Sequence, residues 1–468
     1  MADQSDDSAS EKNPLSSNNG RRRSDARIYE PKDSAMNCLV VGDGNLQVVY
    51  DVCAIHVVLF AVLKVLLDSL SAGRLYADMH LFHLATGYCS FAGIAAFVLT
   101  EVLLVAMAVV VHPALMAWKT IRTKFPTLPV DIGFLLVYVL GLVTSLVLVL
   151  WAVFTVPLGA AFCFTINVEQ LRLSMKTYSF VRETAKKVIT PWNKDDTTGP
   201  ALQYAGQMEP KVGSLANYLY FLFAPTFLYR DRYPRNKGPI KWKNVILYLS
   251  QFIAALLAFL VIYQDVVIPP SLSRMHVLTS LLHSCVGGFV LLMLINVGLL
   301  HSWLNLHAEL LRFADRQFYS DWWTATSYAV FYRKWNVIVH DWIHAYVFTD
   351  IKNVLSAYGF GRTVPALLTI IVSAVMHEYM MAVGLGFCLP LVSILFGVIG
   401  GVVYVVGPCV MKRASNIFIL SSVGIGFGLL AFCYMLEFAS RHYFCPRQHQ
   451  YSDFFFSSRF LQCYGEFN

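Results

Sequence analysis

Apolar residues in this chain neither alternate nor recur in one narrow stripe. They gather in runs of about twenty, divided by polar segments. Nine runs stand out, at 51–70, 91–111, 132–156, 158–179, 245–268, 278–300, 364–388, 391–411 and 417–438. As a helix, a run of that length spans roughly 30 Å, the thickness of a bilayer's hydrocarbon core. The pattern predicts an all-α polytopic membrane protein with about nine transmembrane helices. Two runs are weak. The first contains Lys64 and Asp68, and the fourth becomes charged at Glu169, Arg172 and Lys176, which predicts an interfacial end.

The polar segments divide the rest. Residues 1–47 are rich in Ser, Asp and Asn, include Arg21, Arg22 and Arg23, and read as a disordered cytosolic N-terminal region. They contain no apolar stretch of a cleaved signal, so the first run acts as its own anchor. Residues 48–468 read as one membrane domain. Its segments 181–244 and 301–363 hold Trp242, Trp303, Trp322, Trp323, Trp335 and Trp342, a composition foreign to flexible linkers. They predict amphipathic or re-entrant helices on the cytosolic side. A polar tail, 439–468, closes the chain. No internal repeat is visible, which argues against inverted-repeat transporters.

Composition agrees with this layout. Hydrophobic residues make up 57% and charged residues 14%, which excludes the soluble, disordered, collagenous and disulfide-rich classes. The net charge of +7 sharpens orientation: 28 of the 36 Lys and Arg fall in segments read as cytosolic. The N-terminus is thus expected in the cytosol and the tail in the lumen. No nucleic-acid-binding pattern accompanies the charge. Of ten cysteines, Cys445 and Cys463 lie in the polar tail, where an oxidising lumen would let them pair as a disulfide.

Against this background, His377 is the most informative residue. It interrupts an apolar run with Glu378 and Tyr379 beside it, and ionisable groups at membrane depth are costly enough to suggest a function. A neutral imidazole there can serve as a base; a histidine bonded to a neighbouring helix is the alternative. The run HEYMM lacks the second His of HExxH, so no metal is expected. In Trp335–Trp342, helical spacing places Asn336, His340 and Ile343 on one face, with Asp341 offset. The Asn336 amide has two donors suited to a carbonyl or oxyanion, although polar packing on an interfacial helix produces the same pattern. Phe318, Tyr319, Asp321, Trp322 and Trp323 form an aromatic cluster around one carboxylate, readable as an interfacial belt or as a scaffold at a site. The run from Arg230 to Arg235 suits phosphates or anionic headgroups. Gly424, Gly426 and Gly428 predict close helix packing. No GxSxG, phosphate loop or EF-hand occurs.

Taken together, these motifs resemble the membrane-bound O-acyltransferases, in particular the sterol O-acyltransferase branch. Phe318–Trp323 resembles that branch's FYxDWW motif. Tyr332–Trp342 resembles YYRxWNVVVHDW, and Ser373–Tyr379 resembles SAVVHEY. Glu169–Arg172, Ser179–Glu183 and Tyr220–Arg235 are similar to further signatures, and the likeness runs from about residue 160 onward. The diacylglycerol branch usually has WNxPVHxW where this chain has WNVIVHDW. The chain departs from its branch at Thr324, Phe331, Phe348 and Thr349. The resemblance implies acyl transfer from acyl-CoA to a sterol 3-hydroxyl in the endoplasmic reticulum membrane, with acyl-CoA as co-substrate and no resident cofactor. It implies His377 as general base and Asn336 as the group holding the thioester oxygen. Tyr332, Arg333, Trp335, His340 and Ser373 would then contact acyl-CoA, and Phe318–Trp323 would be scaffold. It further implies a homo-oligomer, a dimer or tetramer. A diacylglycerol or other lipid-alcohol acyltransferase, or a membrane transporter, is the alternative.

Overall fold

In the computed structural model, residues 27, 29–42, 44–71, 90–189, 213–263, 277–410, 416–441 and 454 are described. Among these the chain is helical, with two isolated β-bridges and no strand. Six helices are long and apolar enough to cross a bilayer: Phe91–Arg122, Thr127–Thr155, Trp242–Ile262, Leu281–Leu310, Thr363–Leu385 and Asn416–Phe438. The expected nine spans are therefore six by this measure. The remaining three runs are helical as well. Two lie in α2 (Gly44–Ser71) and α5 (Ala160–Ile189), which carry the charges noted above, and the third is the shorter Ser393–Val406.

Local chemistry sets the boundaries. Ser90 caps α3 (Phe91–Arg122) through the Gly93 amide at 3.0 Å, and Pro126 precedes α4 (Thr127–Thr155). Ser214 caps the short α6 (Leu215–Phe223), and α7 (Trp242–Ile262) follows. Helix α8 (Val277–Ile295) continues through a π-helical stretch, Asn296–Trp303, into α9 (Leu304–Leu310). Next come α10 (Tyr328–Trp335), α11 (Val337–Trp342), π-helical Ile343–Phe348 and α12 (Thr349–Ser356). Helix α13 (Thr363–Leu385) ends at Gly386, whose φ of 78° is the left-handed cap that glycine tolerates. A π-helical turn, Ser393–Ile399, leads into α14 (Gly400–Val410), and α15 (Asn416–Ala439) completes the set.

Two packing features position the site. Helix α5 holds α6 by its carboxyl end. Lys176 Nζ donates to the Phe221 and Ala224 carbonyls at 2.6 Å, Arg172 Nη1 donates to Leu222 O at 2.6 Å, and Ser179 Oγ donates to Phe227 O at 2.6 Å. Cations at a helix C-terminus complement its unpaired carbonyls and dipole. Elsewhere α8 meets α15 so closely that a Cβ on Gly428 would collide with the Ser284 carbonyl, and one on Gly288 with Gly424 and Gly428. The glycine run thus serves helix packing, except Gly426, which faces open space.

The N-terminal region departs from expectation. Within the stretch read as disordered, α1 (Ala35–Gly42) is a helix, and a strap before it binds the rest of the chain. Lys32 N donates to Ala314 O at 3.0 Å, and Arg316 N donates back to Lys32 O at 2.8 Å. Backbone pairing of this kind needs no apolar content, so a composition rule overlooks it. Cys445 and Cys463 lie outside the described residues.

Candidate active site

His377 sits on α13 and is exposed between helices. Its Nδ1 lies 2.7 Å from the Ser373 carbonyl. A carbonyl only accepts, so Nδ1 carries a proton, and in the neutral ring Nε2 is the nitrogen with the lone pair; among the described residues it has no hydrogen-bond partner. Ser373 therefore contributes its backbone here, setting the tautomer one helical turn away. The His377 ring packs against Phe396 at a centroid distance of 5.9 Å, and Phe396 packs edge-on against Tyr332 at 5.1 Å. Those two contacts bring the middle motif to the histidine. Phe396 was not singled out in the sequence, because an aromatic within an apolar run carries no distinguishing signal.

Glu378 turns the other way. It is buried, accepts from Ser393 N at 3.0 Å and receives the Tyr434 hydroxyl at 2.6 Å. It thereby joins α13 to the turn bearing Phe396 and to α15, and acts as a structural acceptor.

Asn336 corrects the sequence reading. It does not share a continuous helical face with His340. Its backbone, at φ −136° and ψ 85°, breaks the helix between α10 and α11. Its side-chain oxygen accepts from Val339 N at 3.2 Å and so caps α11. With Oδ1 occupied, the amide nitrogen offers its two donors, and among the described residues neither has a hydrogen-bond partner. Among the described residues no hydrogen bond joins Asn336 to His377.

The FYxDWW segment builds the seat for this break. Phe318, Tyr319 and Trp322 are buried, which removes the interfacial-belt reading for them. Phe318 O accepts from Val337 N at 2.9 Å, and Ser320 N donates to Lys334 O at 2.8 Å, so the motif flanks Asn336 on both sides. Tyr319 OH lies 2.8 Å from His301 Nδ1. Trp322 meets Trp323 at 5.6 Å and Trp335 at 4.9 Å, and Phe331 stacks on Trp335 at 5.5 Å. Asp321 pairs with Lys334 at 2.9 Å, and hydrogen bonding to that lysine holds its carboxyl below the usual range. The unusual Thr324 fits this corner: its hydroxyl lies 2.9 Å from Asp321 Oδ2 and 3.2 Å from Lys334 Nζ. Phe331 is buried at 2% exposure, where a tyrosine hydroxyl would need a partner.

Of the remaining candidates, Tyr332 and Arg333 are exposed on α10. His340 stacks on His344 at 6.1 Å, and His344 on Phe348 at 5.1 Å. Thr349 donates to His344 O at 2.7 Å. Much of the Arg230–Arg235 run is committed within the chain. Arg230 lies 3.8 Å from Glu183, Asp231 pairs with Lys187, and the Arg235 guanidinium covers the Tyr220 ring at 3.7 Å. The arrangement can abstract a proton at His377 Nε2 and donate hydrogen bonds from Asn336.

Comparison with known proteins adds to this geometry. The model of the membrane-bound O-acyltransferase family matches residues 134–435. Sterol O-acyltransferase 1 of Rattus norvegicus is 34% identical over 323 residues, covering 67% of this chain and 56% of that protein. Sterol O-acyltransferase 2 of Homo sapiens is 37% identical over 287 residues, covering 59% and 52% respectively. The chain spans about half the length of the curated relatives it matches.

Proposed function

Because the chain belongs to the membrane-bound O-acyltransferase family, we propose that it transfers a long-chain fatty acyl group from acyl-CoA to the 3-hydroxyl of a cholesterol-type sterol, forming a steryl ester and free CoA. The observation that carries the chemistry is the His377 tautomer: Nδ1–H is spent on Ser373 O, which leaves Nε2 as the base. Nε2 takes the sterol hydroxyl proton as the oxygen attacks the thioester carbonyl. A positioned base of this type contributes on the order of 10²–10⁴-fold. The Asn336 amide donates to the carbonyl oxygen as charge develops. CoA thiolate leaves and accepts the proton from the imidazolium. Tyr332 and Trp335 line the acyl path, and Arg333 and His340 meet the nucleotide end. Shielding from water favours transfer over hydrolysis.

In this reading α2, α5 and the Ser393–Val406 helix cross the membrane with the other six, giving nine spans. The protein resides in the endoplasmic reticulum with its N-terminus cytosolic and its C-terminus lumenal. Cys445 and Cys463 form a lumenal disulfide, and the chain assembles as a homo-oligomer. The sterol assignment is supported by the names of the relatives, both sterol O-acyltransferases, and by the WNVIVHDW form of the middle motif.

The test is ester formation by purified protein from labelled oleoyl-CoA, with cholesterol, plant-type sterols, diacylglycerol and fatty alcohols as acceptors. Sterols are expected to be preferred, and His377→Ala to abolish product while leaving expression intact. Preference for diacylglycerol would overturn the substrate assignment, and activity in His377→Ala the catalytic one.

A further inference from the structure

We infer that Arg27 is a positioning residue of this active site, through which the N-terminal strap fixes α11 and the Asn336 break. Arg27 lies outside the region that the family match covers, far from its partners in sequence. Its Nη1 donates to Asp341 Oδ2 at 2.9 Å, and its Nη2 to Asp315 Oδ1 at 2.9 Å and to Gln317 O at 3.1 Å. Its guanidinium also covers the Tyr29 ring at 5.2 Å. The planar guanidinium fork meets three acceptors on two elements with its donors in a fixed geometry, which a lysine ammonium does not reproduce.

The two elements are the ones that build the site. Asp315 and Gln317 precede Phe318, whose carbonyl receives Val337 N, the first amide of α11. Asp341 is the fifth residue of that six-residue helix, and its Oδ1 lies 3.7 Å from His340 Nδ1. α11 is the first part of a helical run that continues through Ile343–Phe348 into α12, so the end that needs outside contacts is its N-terminal turn at the Asn336 break, where the first amides have no intrahelical partner. Trp342 Nε1 supplies one hold, to Met175 O at 3.1 Å and Ser179 Oγ at 3.0 Å on α5. The Phe318 O–Val337 N bond fixes the first amide, and Arg27 ties the acidic side of the same helix to the strap. Burial would push the Asp341 carboxyl up, but the neighbouring His340 ring and the hydrogen-bonded charge of Arg27 more than offset it. The strap itself is pinned, with Glu30 N on Asp315 Oδ2 at 3.3 Å and the Tyr29 hydroxyl on Thr226. Arg27 touches no reacting atom; it acts through Asp341 and Gln317.

The activity arm of the test rests on the acyl-transfer reading, and a second arm does not. Full-length protein in nanodiscs is compared with Arg27→Ala and Arg27→Lys by amide hydrogen exchange and by ester formation. Exchange in residues 334–342 is expected to quicken by about tenfold in Arg27→Ala, with α13 unchanged. The kcat is expected to fall by about tenfold or more, with the acyl-CoA KM within about twofold. Guanidinium ion at low millimolar concentration should restore kcat saturably, whereas sodium chloride should not, and Arg27→Lys should recover little. Unchanged exchange in 334–342 overturns the inference whatever the activity. Faster exchange spread through α13, or a kcat loss that guanidinium leaves untouched, overturns it as well, since either marks general destabilisation. An inactive wild type would refute the acyl-transfer reading, and the exchange arm would still decide the role of Arg27.

Discussion

Asn336 carries two duties that one substitution series can separate. Its Oδ1 caps α11 through a 3.2 Å bond to Val339 N, and its Nδ2 is proposed to stabilise the thioester oxygen. Aspartate caps a helix as well as asparagine does, so Asn336→Asp preserves the first duty. It replaces the amide donors with a carboxylate that repels a developing oxyanion. Loss of one such donor costs roughly 10²–10³ in kcat, or about 2.7–4 kcal/mol, and the added charge can only increase the loss. Asn336→Ala removes both functions, and loss of the cap alone costs about 1 kcal/mol of stability. The expected pattern is therefore near-wild-type melting with collapsed kcat for Asn336→Asp, and reduced melting with collapsed kcat for Asn336→Ala. Tryptophan-fluorescence melts in detergent and labelled oleoyl-CoA turnover provide both axes. Should Asn336→Asp turn over at more than about a tenth of the wild-type rate, the amide is not an oxyanion donor. Should only KM change in either variant, it contributes uniform binding rather than transition-state stabilisation.

Other outcomes follow from the packing and the charges. Gly428→Val would drive a side chain into the Ser284 carbonyl on α8, which should cost about 1–3 kcal/mol or more in thermal stability. Gly426→Ala, directed into open space, should leave the melt unchanged; equal losses in the two variants would refute the close-packing account. Glu378→Ala should destabilise by about 1–3 kcal/mol, because the Ser393 amide loses its acceptor while the Tyr434 hydroxyl keeps only the Leu389 carbonyl at 2.9 Å, and unchanged melting would show that the carboxylate is not structural. The lowered Asp341 group favours the folded state above the ordinary aspartate value, and that contribution is lost as pH falls through its lower folded value. Hydrogen-exchange protection of residues 29–34, corrected for intrinsic rates, should accordingly hold from pH 8 to about 5 and decline only below about 4. A decline centred near neutrality would place control in another group.

The legible parts of this protein were those in which one residue type stands against its surroundings. Apolar runs marked the helices, and His377 and Gly424–Gly428 stood out by local contrast alone. Asn336 was visible as chemistry and misread as geometry. Trp335, Asn336 and Val337 fit a helical pattern, and only the pairing of Phe318 with Val337 shows why the helix breaks there. Arg27 was invisible, since its partners lie 288 and 314 positions away and no periodicity encodes such a distance. The charged run in α5 looked like a defect in a membrane span. Its cations are satisfied by carbonyls of α6, in a segment that composition alone had assigned to the membrane surface.

That arrangement constrains how the polypeptide is made. If α5 crosses the membrane, as the nine-span reading proposes, a lysine or arginine near its centre costs about 2.5–3.5 kcal/mol until it is partnered. The acceptors for Arg172 and Lys176 lie 50 and 45 positions downstream, at Leu222 and Phe221. At ~5–20 residues per second, the ribosome needs several seconds to deliver them. In that reading the cost stands over that interval and is relieved once α6 emerges to receive α5. Insertion of α5 would then depend on a segment made after it, and a nascent chain stalled before residue 215 would lack the carbonyls that Arg172 and Lys176 meet in the folded protein.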